Sequence, residues 1–189
     1  MKAKKTLLAM AASLSLISGA TYAAGPTPPP SITVQGGTIH FDGSLVNAPC
    51  SVNVNSEDQT VHLGQYRTSE FTATGTASRA KNFNIVLEDC DASVYHNAAV
   101  AFTGQRDKVN DGLLAVTSNA NKTAAGNVGI QILDEKSIPV VLDGSKFSTP
   151  HTLLNGENVL PFSARYVSTA DKTTAGDADA DAVFTMQYN

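Results

Sequence analysis

The chain contains no tryptophan, only two cysteines, and aromatic residues at just 6% of its positions. Its lysines and arginines number 13 against 17 aspartates and glutamates, and past the first five residues the basic ones never cluster. Binding nucleic acid or an anionic membrane needs a basic patch or stripe, so neither partner is expected. Two cysteines do not make a metal site, and His40, His62, His96 and His151 stand without ligand spacing beside them. The signatures of an activated serine, a zinc peptidase and a phosphate-binding glycine loop are all missing. No catalytic residue, metal or cofactor is therefore expected, and the chain does not read as an enzyme. Past residue 23 no window keeps a 3.6-residue apolar period, and no apolar run approaches the roughly 20 residues that span a bilayer.

What is present starts at the N-terminus. Lys2, Lys4 and Lys5 precede an apolar run from Leu7 to Ile17, and Thr21-Tyr22-Ala23 offers small residues where a signal peptidase reads. Residues 1–23 are read as a removed signal peptide. Their loss leaves 166 of the 189 residues, enough for one domain with a sizeable core. It also removes three lysines and no acid, taking the net charge from −4 to −7, which helps keep an exported protein soluble. In an oxidising compartment Cys50 and Cys90 read most simply as one disulfide.

The exported part is a series of short strand-like runs separated by turn residues such as Asp111-Gly112, Asp143-Gly144 and Asn155-Gly156. Runs are expected at Thr38–Val46, Ser51–Val54, Thr60–Leu63, Asn82–Leu87, Ala98–Phe102, Leu113–Thr117, Val128–Leu133, Ile138–Leu142, Asn158–Val167 and Ala182–Tyr188. Phe83, Ile85 and Leu87 fall on one face of a strand, as do Phe184, Met186 and Tyr188. Gln65 to Thr74 has room for one helical turn. Polar stretches at Ser118–Asn127 and Ala170–Asp181 read as loops. The pattern predicts an all-β, immunoglobulin-like Greek-key sandwich.

One segment does not fit a closed sandwich. Ser31 to Phe41 alternates like a strand, carries Gly36-Gly37 at its centre, and follows the extended lead Gly25-Pro26-Thr27-Pro28-Pro29-Pro30. With Ile32, Val34, Gly36, Thr38 and His40 on one face it presents two apolar knobs, a notch, and two smaller or polar positions. It is too polar and glycine-rich to make a hairpin of its own and needs a sheet edge elsewhere. Pairing with another copy would make the protein a building block whose activity is assembly.

At this point the residues resemble a family. Gly36-Gly37-Thr38-Ile39-His40-Phe41-Asp42-Gly43, then Val46-Asn47-Ala48-Pro49-Cys50-Ser51-Val52, are similar to the start of type 1 fimbrial subunits. Phe83-Asn84-Ile85-Val86-Leu87-Glu88-Asp89-Cys90, Asn127-Val128-Gly129-Ile130-Gln131-Ile132-Leu133-Asp134 and Pro161-Phe162-Ser163-Ala164-Arg165-Tyr166 resemble further segments of that family. So does the ending Ala182-Val183-Phe184-Thr185-Met186-Gln187-Tyr188-Asn189, with tyrosine second from last. The likeness runs in order over nearly the whole exported chain. It departs in a longer proline-rich lead and in a final asparagine where members of the family often end in glutamine.

The resemblance implies a sandwich that lacks its final strand and is completed in trans by a donor strand. It divides the chain into signal peptide (1–23), donor extension (24–40) and pilin domain (41–189). It implies donor positions Ile32, Val34, Gly36, Thr38 and His40, and a groove edge and chaperone contact at Phe184, Met186, Tyr188 and Asn189. The implied partners are further copies or related pilins, a periplasmic chaperone and an outer-membrane usher, with a fimbrium at the cell surface as the product. Two other readings stand beside the shaft subunit: a minor, adaptor or terminating pilin, and a monomeric carbohydrate-binding sandwich. Asp177, Asp179 and Asp181 hint at calcium, but the loop lacks the required glycine and glutamate positions and reads as a solvated acidic loop.

Overall fold

A computed structural model describes residue 25 and residues 29–118 and 122–189. The signal-peptide reading of residues 1–23 lies outside the described residues. The chain divides into two units, one ending at Gly43 and one comprising Ser44–Asn189. In the first, residues 29–43 form no strand and are exposed throughout.

The second unit is built from strands β1 (Ser51–Val52), β2 (Lys81–Cys90), β3 (Asn97–Gly104), β4 (Leu114–Ala115), β5 (Val128–Leu133), β6 (His151–Thr152), β7 (Gly156–Ser168) and β8 (Ala182–Tyr188). They form two sheets, ordered β1-β2-β7-β5-β4 and β6-β3-β8, with every named pair antiparallel. Alternation in β2 and β7 turns Ile85 and Leu87 inward opposite Leu160 and Asn158. Phe83 and Phe162 also pair across those strands, with rings stacked 5.8 Å apart. Phe162 meets Phe102 of the other sheet edge to face at 5.2 Å, so one aromatic column joins the two layers.

The register slips once. Leu87 pairs with Asn158 but Cys90 with Gly156, so β2 holds one residue more than β7 there. Without this bulge Leu87 and Cys90 would point to opposite faces; with it both are buried. Asp89 at the bulge takes a positive φ of 51°. The turn-in delivers Cys90 to Cys50, and the two are disulfide-bonded across 40 positions of sequence.

Several expected runs changed character. Val128–Leu133 and Ala182–Tyr188 form strands with the expected bounds, and the runs in β2, β3 and β7 extend a few residues further. Thr38–Val46 and Thr60–Leu63 form no strand, because a strand needs a laddered neighbour and neither has one among the described residues. Ile138–Leu142 makes a single bridge, Leu133 to Pro139, through the Asp134 N–H to the Ile138 carbonyl and the Val140 N–H to the Ile132 carbonyl, each at 3.0 Å. Ser51–Val54 stops at Val52: Asn53 caps a helical turn (Val54–Glu57), its Oδ1 accepting from the Asn55 N–H at 2.9 Å. A 3-10 turn at Thr68–Glu70 lies inside the stretch expected to hold one helical turn. The two polar loops zip together through Thr117–Asp179, Ala125–Asp177 and Gly126–Thr174 backbone bonds. Gly176 allows that approach, since a Cβ there would lie 2.4 Å from the Thr123 carbonyl oxygen.

Candidate strand-accepting groove

β8 pairs with β3 along one edge, from Ala98–Tyr188 to Gly104–Ala182. Its other edge has no strand partner among the described residues. Opposite that edge runs the segment 56–64, and between them opens a trough of about 810 Å³. Its floor is apolar, supplied by Phe83 and Ile85 of β2, Ile130 and Ile132 of β5, and Ala164 of β7. Val61 and Leu63 face it from one wall and Phe184 from the other. An unpaired edge over a strip of core side chains is the vacancy that one further strand would fill.

Each wall is held by a hydrogen bond from a residue of the trough lining. Ser56, buried, accepts the Val86 N–H on its Oγ at 3.0 Å and fastens the first wall to β2. The Tyr166 hydroxyl donates to the Ala178 carbonyl at 3.0 Å and ties the floor to the second wall. Burial, then the neighbouring Asp179 and Tyr66, push the Tyr166 hydroxyl above its ordinary pKa, so it remains a donor at neutral pH. The rim is acidic, with Glu57, Asp58, Asp179 and Asp181 lining it.

Of the groove-edge residues expected from sequence, Phe184 lines the trough. Met186 and Tyr188 lie on the same inward face, half-buried against the core. Burial alone raises the Tyr188 pKa. Asn189 is stitched to the start of β3: its N–H donates to the Asn97 carbonyl at 3.1 Å, and its own carbonyl accepts the His96 and Asn97 N–H groups at 2.9 Å. On the extension, Ile32 is 86% and Val34 79% exposed, and Gly36, Thr38 and His40 are exposed as well. Ile39 and Phe41, on the opposite alternation, are equally bare. The wall at 56–64 escaped sequence reading as part of a site, although Val61 and Leu63 alternate with polar residues. Asp177, from the acidic triplet, lies 3.2 Å from the Lys122 ammonium. No group of three or more potential metal ligands converges among the described residues.

An immunoglobulin-like sandwich one strand short, with an apolar trough where that strand would lie, defines a strand-accepting class of domain. Comparison with known proteins then narrows it. The family model for fimbrial proteins matches residues 39–189, and the chain belongs to that family. It is 52% identical over 184 residues to the fimbrial subunit type 1 of Salmonella typhimurium, covering 97% of this chain and 98% of that one. It is 47% identical to the type-1 fimbrial protein A chain of Escherichia coli strain K12, over the whole of both chains. Among solved structures it resembles a chain of a chaperone–usher pilus at TM-score 0.67 and 28% identity, covering 85% of this chain and all of that one. The P pilus rod subunit PapA matches at TM-score 0.61 and 27% identity, over 75% of this chain and all of PapA. The protein is a structural subunit of a surface fimbrium, and it polymerises with other pilins.

Proposed function

We propose that the subunit forms the fimbrial shaft by donor-strand exchange, residues 32–40 of one copy filling the trough of the next. The observation that carries this is the free edge of β8 above an apolar floor, in a chain that also bears an exposed, unladdered apolar segment. The two are complementary halves of one strand pairing. Burying Ile32 and Val34 contributes roughly 1.5–3 kcal/mol each, and the backbone ladder adds to that. Gly36, with no side chain, lets the incoming strand approach the floor closely. Residues 29–41 carry no acid, so the acidic rim does not repel them.

In this reading residues 1–23 direct export and are removed, and residues 24–40 serve as the donor for a pilin domain at 41–189. A periplasmic chaperone covers the trough until assembly, gripping β8 and the chain end at Asn189, and an outer-membrane usher passes subunits to the growing fibre. The relative named as an A chain, and the likeness to a rod subunit, favour a homopolymeric shaft over a minor pilin. The test is Ile32→Asp or Val34→Asp. Each variant should fold and be recovered on its chaperone but should not enter fibres. Fibres of normal length built from either would overturn the assignment of this face as the donor.

A further inference from the structure

The pole of the sandwich where the extension takes root carries an apolar patch that strand exchange does not use. The root is fixed: Cys50 is bonded to Cys90, and the Pro49 carbonyl accepts the Asp91 N–H at 2.9 Å. Asp91 opens the loop 91–96, which is stitched at both ends to the loop 153–155. The Ala92 N–H donates to Asn155 Oδ1 at 2.8 Å, and the Leu153 N–H donates to the His96 carbonyl at 2.8 Å. Between those stitches stand Val94, 67% exposed, Tyr95, 42%, and Leu154, 68%. Single exposed apolar residues are ordinary, but three on two bonded loops form a patch, and the bonds leave little conformational freedom to be lost on docking.

Chain length says what stands over it. Ten residues separate His40 from Cys50 and span at most about 36 Å. A domain the size of Ser44–Asn189 has a radius of gyration of about 15 Å, or roughly 38 Å across as a sphere. A tether shorter than a subunit's width keeps the copy that receives the extension on the Cys50 side of the donor. We propose that Val94, Tyr95 and Leu154 form a second contact with that receiving copy, setting the angle and stiffness between consecutive subunits. This rests on the strand-exchange reading, and it adds a contact that exchange itself does not require.

The test is the double variant Val94→Asp with Leu154→Asp, both at exposed positions. Fibres should form in parental number, because the donor strand and trough are untouched. Their persistence length in electron micrographs should fall by about half or more, as expected when an interface core gains unpaired charge. Unchanged persistence length would overturn the proposal. Hydrogen exchange on the unmutated protein supplies an independent reading. The amides of residues 93–95 should exchange about tenfold more slowly in fibres than in the chaperone-bound subunit. Equal rates in both states would overturn the contact, and so would protection already present in the single subunit, which would mean the chain's own Leu45-Val46 covers the patch. If Ile32→Asp still builds fibres, strand exchange has failed. If it blocks them while the pole variants change nothing, only the second contact falls.

Discussion

The two sides of the three-stranded sheet are built to opposite ends. On one side β3 is closed by β6 and by the loop 142–148. Gly104 and Gly144 exchange backbone bonds with Leu142 and Phe102, and Ser148 bonds Val100 through both its N–H and its Oγ. As a result Ala98 to Phe102 are all buried. On the other side β8 satisfies one edge only, and its inward residues Phe184, Met186 and Tyr188 are only partly buried. One edge is sealed by the chain itself, and the other waits for a strand. The difference locates the protein's activity, since a sheet sealed on both sides would have nothing to polymerise with.

The largest expected effect tests how much stability the open side withholds. In the chain-entropy model the Cys50–Cys90 bond contributes about 4 kcal/mol for a loop of this length. A subunit with one strand missing has little margin, so Cys50→Ala with Cys90→Ala should leave the free subunit unfolded by circular dichroism. Fibres assembled first and reduced afterwards should keep their structure, because the supplied strand offsets the loss. Fibres that melt on reduction alongside the free subunit would show that the open edge costs little.

A smaller effect compares the sides directly. Leu142 is fully buried in the sealing loop, and Leu142→Ala should cost about 3 kcal/mol in subunit and fibre alike. Phe184→Ala on the open side should cost the free subunit less, about 1–2 kcal/mol, because its ring is only partly buried there. In the fibre the same change should cost noticeably more. Thermal unfolding of both variants in both states gives four numbers, and equal costs for Phe184→Ala would break the contrast.

The strands were legible where a run was both alternating and laddered, as in β5 and β8, whose bounds follow from the apolar pattern alone. Val61 and Leu63 carry the same pattern without forming a strand, because alternation reports which side chains turn inward and says nothing of whether a neighbour is there to bond. The trough is therefore invisible to periodicity: its floor residues read as ordinary core, and only the resemblance to fimbrial subunits pointed to a missing strand. The bulge at Asp89 was unreadable for a related reason. It is fixed by the demand that Leu87 and Cys90 both face inward, which appears only once the disulfide and the β7 register are known. The role of Asp134, which closes one of the family-like segments, is not legible in sequence either, since one acid among 17 carries no spacing signal.

Asp134 gives the finest probe of the sealed side. Its buried carboxylate takes the Lys136 and Ile138 N–H groups on Oδ1, each at 2.9 Å. Oδ2 accepts the Thr149 N–H at 3.1 Å and the Thr149 hydroxyl at 2.6 Å, fixing the residue next to Ser148. Burial pushes the Asp134 pKa up, but these hydrogen bonds, that of the Thr149 side chain foremost, outweigh it and hold the carboxyl below its ordinary value. All four partners donate, so the site demands an acceptor at every position. Asp134→Asn turns an amide N–H₂ toward the Thr149 donors and should cost about 2 kcal/mol at neutral pH. The sign with pH follows from the depressed pKa. The stabilisation is present above the unfolded-state value of about 3.9 and is lost as pH falls through the lower folded-state value. The parent should therefore lose stability on acidification below about pH 4, while the asparagine variant should lack that part of the decline. Parallel acid-unfolding curves for the two proteins would mean that the sealing loop is held by something other than this carboxylate.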